Sequence, residues 1–115
     1  MGLWAAFFHL VFPAESAQSI GWATSPFQSE VGSANLGIGL AGLYAAFRSY
    51  EARFAIALVV AGFLCGAGIV HIHDIIRAGN FAPGNAGPIL FTDFLTPIAI
   101  FLLLAATRPR SSVQD

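Results

Sequence analysis

The sequence contains no lysine, one cysteine and few charges of either sign: five arginines and six carboxylates in 115 residues, for a net charge of −1. Each shortage removes a class of protein. Without a basic patch there is no footprint for nucleic acid, whose phosphates need clustered cations. Low charge joined to high apolarity excludes intrinsic disorder, which needs the reverse. A lone cysteine, Cys65, permits no internal disulfide and no cysteine-rich zinc or iron–sulfur site. What is present is apolar. Hydrophobic residues make up 57% of the chain and mean hydropathy is +0.74. Charged residues are 10%, where a soluble domain carries about a quarter. In a chain of one-domain size (residues 1–115), this composition points to a small integral membrane protein whose partner is the lipid bilayer.

A bilayer core is roughly 30 Å thick and takes roughly 20 apolar residues as a helix. Four hydrophobic segments are readable, at about 2–12, 26–47, 53–77 and 88–107. The last three are long enough to span; the first is about half that length. It is a thin or tilted span, an interfacial helix, or the remainder of a longer span. The expected fold is therefore all-α, a polytopic transmembrane helix bundle with three full spans plus a short N-terminal hydrophobic helix. Ala14-Glu15-Ser16 ahead of Ala17 imitates a signal cleavage site. No basic stretch precedes the apolar one, so the segment reads as retained.

Arginine placement orients the bundle. Arg48, Arg53, Arg108 and Arg110 fall on the side of the N-terminus, and Arg77 alone falls with the long loops 13–30 and 74–88. Cytoplasmic loops carry the excess of arginine, so both termini are expected in the cytoplasm and the long loops outside an inner (cytoplasmic) membrane. Local signals mark helix ends. Ser25-Pro26-Phe27-Gln28 has the pattern of a capping box, Pro88 suits a first helical position, and Gly79 suits a C-terminal cap.

Helices in lipid associate through close packing and polar contacts. The third segment offers Gly62-Phe63-Leu64-Cys65-Gly66, a GxxxG match, and the second is rich in glycine throughout. Internal packing is the expected use, with a homo-oligomer interface as the alternative. Gly37-Ile38-Gly39-Leu40-Ala41-Gly42 also matches GxGxxG. It lies inside a span with no preceding strand, which excludes a dinucleotide site. Cys65 sits mid-span among apolar neighbours, where a thiol is inert.

Most ionisable residues away from the cytoplasmic turn and tail gather at one depth. His9 ends the first segment, Glu30 begins the second, His71, His73 and Asp74 end the third, and Asp93 begins the fourth. Ionisable groups within membrane segments are costly and face the bundle interior or water, which makes them functional candidates. Each also has a plainer use. Glu30 suits the positive end of its helix, His71 or His73 the negative end of theirs, Asp74 a cap, and His9 the interface. Asp93 is hardest to explain that way. Pro97 lacks an N–H and frees the Asp93 carbonyl, so backbone and side-chain acceptors coincide there. His71 and His73 lie about 200° apart on a helix, and the sequence does not choose between them. The expected site is an outer-leaflet polar pocket formed by Glu30, His71 and Asp93 with Asn80 and Asn85, flanked by His9 and His73. Imidazole with carboxylate suits a metal, for which His71, Glu30 and Asp93 would be the ligands. No nucleophile–base pair is legible and no cofactor is indicated.

Several stretches are familiar as a set. Ile20-Gly21-Trp22, Ser25-Pro26-Phe27-Gln28-Ser29-Glu30-Val31-Gly32, Ala34-Asn35-Leu36, His71, and Asn80-Phe81-Ala82-Pro83-Gly84-Asn85-Ala86-Gly87 followed by Thr92-Asp93 resemble an uncharacterised family of small four-helix bacterial and archaeal membrane proteins. The likeness covers most of the chain from His9 onward, and the asparagine-rich loop with its trailing aspartate is its most specific part. The resemblance implies a four-helix membrane fold and no particular activity. Two functions follow as expectations: binding or moving a small ligand, proton or metal ion, or serving as a non-catalytic accessory subunit of a larger membrane complex.

Overall fold

The computed structural model describes residues 1–109 and is helical, with no strand among them. Arg110, counted in the charge argument, lies outside the described residues, as does the C-terminus. Helix α1 (Gly2–Val11) ends at Phe12, whose backbone leaves the helical region (φ −127°, ψ 57°). The cause is Pro13, which disfavours helical geometry in the residue before it and then starts α2 (Pro13–Ile20). Helix α2 stops at Gly21, which is left-handed (φ 82°), and the Trp22 N–H donates to Ala17 O at 2.9 Å. That is a Schellman-type ending.

Helix α3 (Phe27–Ala46) follows an irregular stretch and is joined to α4 (Tyr50–Ala78) by residues 47–49. Ser49 caps α4, its hydroxyl accepting from the Ala52 N–H at 3.4 Å. The left-handed Gly79 (φ 64°) ends it, as expected. A single turn, α5 (Pro83–Ala86), precedes α6 (Pro88–Ala106), which opens on Pro88 and contains Pro97.

Helix α1 runs antiparallel along the first half of α3, and glycines set the approach. A Cβ on Gly32 would meet Leu10 and His9, and one on Gly39 would meet the backbone of Leu3 at 2.8 Å. Helix α6 lies along α4, with Phe94 over Gly68, whose absent Cβ would stand 2.6 Å from the ring. Phe54 and Phe101 meet edge-on, 5.9 Å between centroids, nearer the 47–49 turn. Helices α2 and α5 pack together at the opposite end, where Gly84 rides on the backbone of Ser19.

The distribution of side chains is the reverse of a soluble domain's. The buried apolar residues are Ala6, Ala17, Ala45 and Ala57 with Ile20 and Leu104, while large residues such as Trp4, Leu43, Ile69, Phe91 and Leu102 are exposed. Two helical stretches, Tyr50–Ala78 and Pro83–Ala106, are long and apolar enough to cross a membrane, and only 17% of the most apolar part of each is buried. A core helix of a soluble protein would be mostly covered.

Several expectations change. Helix α3 has the length of a span, yet it falls short of the apolarity of α4 and α6, because Gln28, Ser29, Glu30, Ser33 and Asn35 crowd its first half. Two helices among the described residues are long and apolar enough to span, and a third full span is not shown. The Ser25–Gln28 capping box does not form: no side chain caps α3, because the Gln28 side chain is buried against His9 instead. Nor do Gly62 and Gly66 pack within the chain, since a Cβ on either would meet nothing within 4 Å.

Candidate functional site

The polar residues cluster where the end of α4 meets α2, α5 and the start of α6. His71, on the α4 face that carries Gly68, is directed towards α6 and is 7% exposed. Its Nδ1 lies 2.6 Å from Asn85 Oδ1. The Asn85 Nδ2 donates to Asn80 O at 2.8 Å and to His71 O at 3.4 Å. Asn85 is fully buried, in the single turn of α5. On the other side of the imidazole, Nε2 stands 3.9 Å from Asp93 Oδ2, beyond hydrogen-bonding distance. Asp93 is 2% exposed, and its Oδ2 has no hydrogen-bond partner among the described residues. A buried acceptor without a donor is costly and uncommon in folded proteins.

Trp22 closes one face of the cluster. Its ring stacks on His71 with centroids 5.8 Å apart and planes at 24°. The indole N–H donates to Asp74 Oδ2 at 2.9 Å, and Asn80 Nδ2 donates to the same oxygen at 2.6 Å. Asn80 also donates to Ile20 O at 2.8 Å, and its Oδ1 accepts from the Ala82 N–H at 3.0 Å. The end of α2, the end of α4 and the α4–α5 connection are thus tied through two side chains. Gly21 is required here twice: its φ is left-handed, and a Cβ would lie 2.7 Å from Asn80 Oδ1.

A second polar pair lies between α1 and α3. His9 Nδ1 is 2.8 Å from Gln28 Oε1, and Gln28 is 2% exposed. Asn35, also buried, donates back to Val31 O on its own helix at 3.0 Å.

The structure therefore brings His71, Asp93, Asn85 and Asn80 together, and it resolves the choice between histidines: His71 is buried and His73 is exposed. Glu30 is exposed and has no hydrogen bond or ion pair to this cluster among the described residues, which removes it from the expected pocket. The reason is rotational. Gln28, Gly32 and Asn35 occupy the α3 face turned towards α1, and Glu30 lies on the opposite face. His9 belongs to the separate pair with Gln28. The metal reading loses its third ligand with Glu30. Among the described residues no three of His, Cys, Asp or Glu gather as a metal would require. Trp22 and Gln28 are the residues that sequence reasoning missed as site partners. Trp22 lies outside the ionisable residues from which the pocket was read, and Gln28 reads as part of a cap; both carry donors that a buried histidine or carboxylate could use.

These features define an all-helical protein with two membrane-length apolar helices and a buried His–Asn–Asp cluster at one end of them. Residues 1–113 match DUF6790, a family of unknown function, and the chain belongs to that family. No curated protein and no solved structure matches it.

Proposed function

We propose that this is an integral protein of the cytoplasmic membrane in which α3, α4 and α6 cross the bilayer, and that the His71–Asn85–Asp93 cluster is a binding site on its outer side. The observation that carries the reading is Asp93 Oδ2: buried, unpartnered, and directed at His71 Nε2 across 3.9 Å. Ionisable groups at membrane depth are kept where they act. Support for the orientation comes from Arg48, Arg53 and Arg108, which share the opposite end of the helices with the 47–49 turn. Support for a crossing by α3 comes from its length of 20 residues and from the burial of Gln28 and Asn35 within the chain.

Anything that binds the folded state and not the unfolded one raises its melting temperature, by an amount that grows with the logarithm of its concentration above Kd. In lipid nanodiscs, some solution variable (pH or an added small molecule) should shift the Tm of the parent protein, and Asp93→Asn should abolish that shift. Identical responses in both proteins under all conditions would contradict a binding role.

One observation favours a second reading, a subunit of a homo-oligomer or a larger membrane complex. Gly37, Gly42, Gly62 and Gly66 have open space where a side chain would stand, and such positions let another helix approach closely. Native mass measurement in mild detergent tests it, a strictly monomeric protein counting against this reading.

A further inference from the structure

We propose that what the His71–Asp93 site binds is a single proton, held between His71 Nε2 and the Asp93 carboxylate. This rests on the reading of the cluster as a binding site and names its ligand. The argument starts at Asn85. Its Nδ2 is surrounded by two carbonyl oxygens, Asn80 O at 2.8 Å and His71 O at 3.4 Å. Those partners fix which end of the amide is nitrogen, and so the atom 2.6 Å from His71 Nδ1 is oxygen. An amide oxygen only accepts, so Nδ1 carries a hydrogen. Nε2 is then the atom that faces Asp93 Oδ2 at 3.9 Å.

Three protonation states are open to that pair. With no further proton, a nitrogen lone pair faces a carboxylate in a buried site that offers Oδ2 no donor. With one, the conflict disappears. A proton on Nε2 makes an ion pair; a proton on Oδ2 makes a neutral acid donating to Nε2. With two, an imidazolium lies against a neutral acid, and the nearest other carboxylate, Asp74, already has its Oδ2 engaged by Trp22 and Asn80. The pair holds one proton. The ring cannot turn away to escape this choice, because Asn85 holds Nδ1 and Trp22 lies stacked on its face.

Among the described residues, no other charged group takes over either partner. On α4, Asp74 Oδ2 already accepts from Trp22 and Asn80, and His73 and Arg77 are exposed. Helix α1 offers His9, bonded to Gln28. The only acids on α2 and α3 are Glu15 and Glu30, both exposed, and α5 has no ionisable side chain. On α6, Asp93 is the only ionisable residue.

The test is nitrogen NMR of histidine-labelled full-length protein in lipid nanodiscs near neutral pH, joined to the infrared carboxyl bands of the same sample. Expected is a protonated Nδ1 on His71, with one proton on either Nε2 or the Asp93 carboxyl. In Asp93→Asn the new amide donates to Nε2, which is bare at the same pH, and whichever of the acid band or the imidazolium signal the parent shows disappears. A bare Nε2 beside an ionised Asp93 in the parent would overturn the proposal, and that reading needs no variant to fold. So would a His71 spectrum unchanged in Asp93→Asn when the parent also shows no protonated-carboxyl band that the variant loses. If the proton is absent but a small molecule still raises the Tm in an Asp93-dependent way, the site binds something else and only this proposal falls.

Discussion

Asn85 is completely buried, and its amide meets His71 Nδ1, His71 O and Asn80 O at once. Truncation to alanine leaves those partners in a dry site without replacements. Asn85→Ala should lower stability by about 1–3 kcal/mol, the cost of unmade buried hydrogen bonds. The check is thermal unfolding in detergent beside Asn35→Ala. Asn35 bonds only its own helix backbone at 3.0 Å, so its removal should cost less. Equal losses would mean that Asn85 does not organise the site. At this scale much was legible in the sequence. His71, Asp93, Asn80 and Asn85 were expected together because chemistry-bearing residues at one depth of a short chain have few places to go. Glu30 was misplaced because depth along a helix is readable from spacing, whereas rotation depends on which neighbour the helix presents its face to. Gln28, Gly32 and Asn35 turn to α1 here, and that contact decides where Glu30 points.

Glycines decide which helices approach closely, and motif matching alone misassigns them. Gly68 has Phe94 and Asp93 against it, whereas Gly62 and Gly66 of the GxxxG match have open space. Gly68→Leu should therefore displace the Phe94 ring and cost about 1–3 kcal/mol, as overpacking does. Gly66→Leu should leave the fold of a single chain unaffected. Melting curves of the two variants in detergent compare them directly; a larger loss at Gly66 than at Gly68 would reverse the assignment. A loss at Gly66 that vanishes on dilution would instead report contact between chains. Helix boundaries set by proline and glycine were readable in advance, at Gly79 and Pro88, since those residues restrict the backbone whatever surrounds them. The short α2 was not, because its eight residues, PAESAQSI, carry no apolar run and are held by tertiary packing against α5.

Over the whole molecule, the apolar residues lie outside and the polar cluster inside one end, an arrangement that water does not favour and lipid does. That the chain would form helices long and apolar enough to cross a membrane was legible in a composition of 57% hydrophobic residues. Helix α3 was harder to read, since it has the length of a span while its polar first half keeps it below the apolarity of α4 and α6. The claim on which the rest depends is that α4 carries its two ends to opposite sides of a bilayer. Cys65 is the only native cysteine, so a Cys65→Ala background allows single cysteines at Glu51, beside the 47–49 turn, and at Ala82, beyond the end of α4. Labelling intact cells with a membrane-impermeant thiol reagent tests this directly. The account predicts that Ala82→Cys is labelled from outside and that Glu51→Cys is labelled only after the membrane is opened; labelling of both positions in intact cells would contradict it.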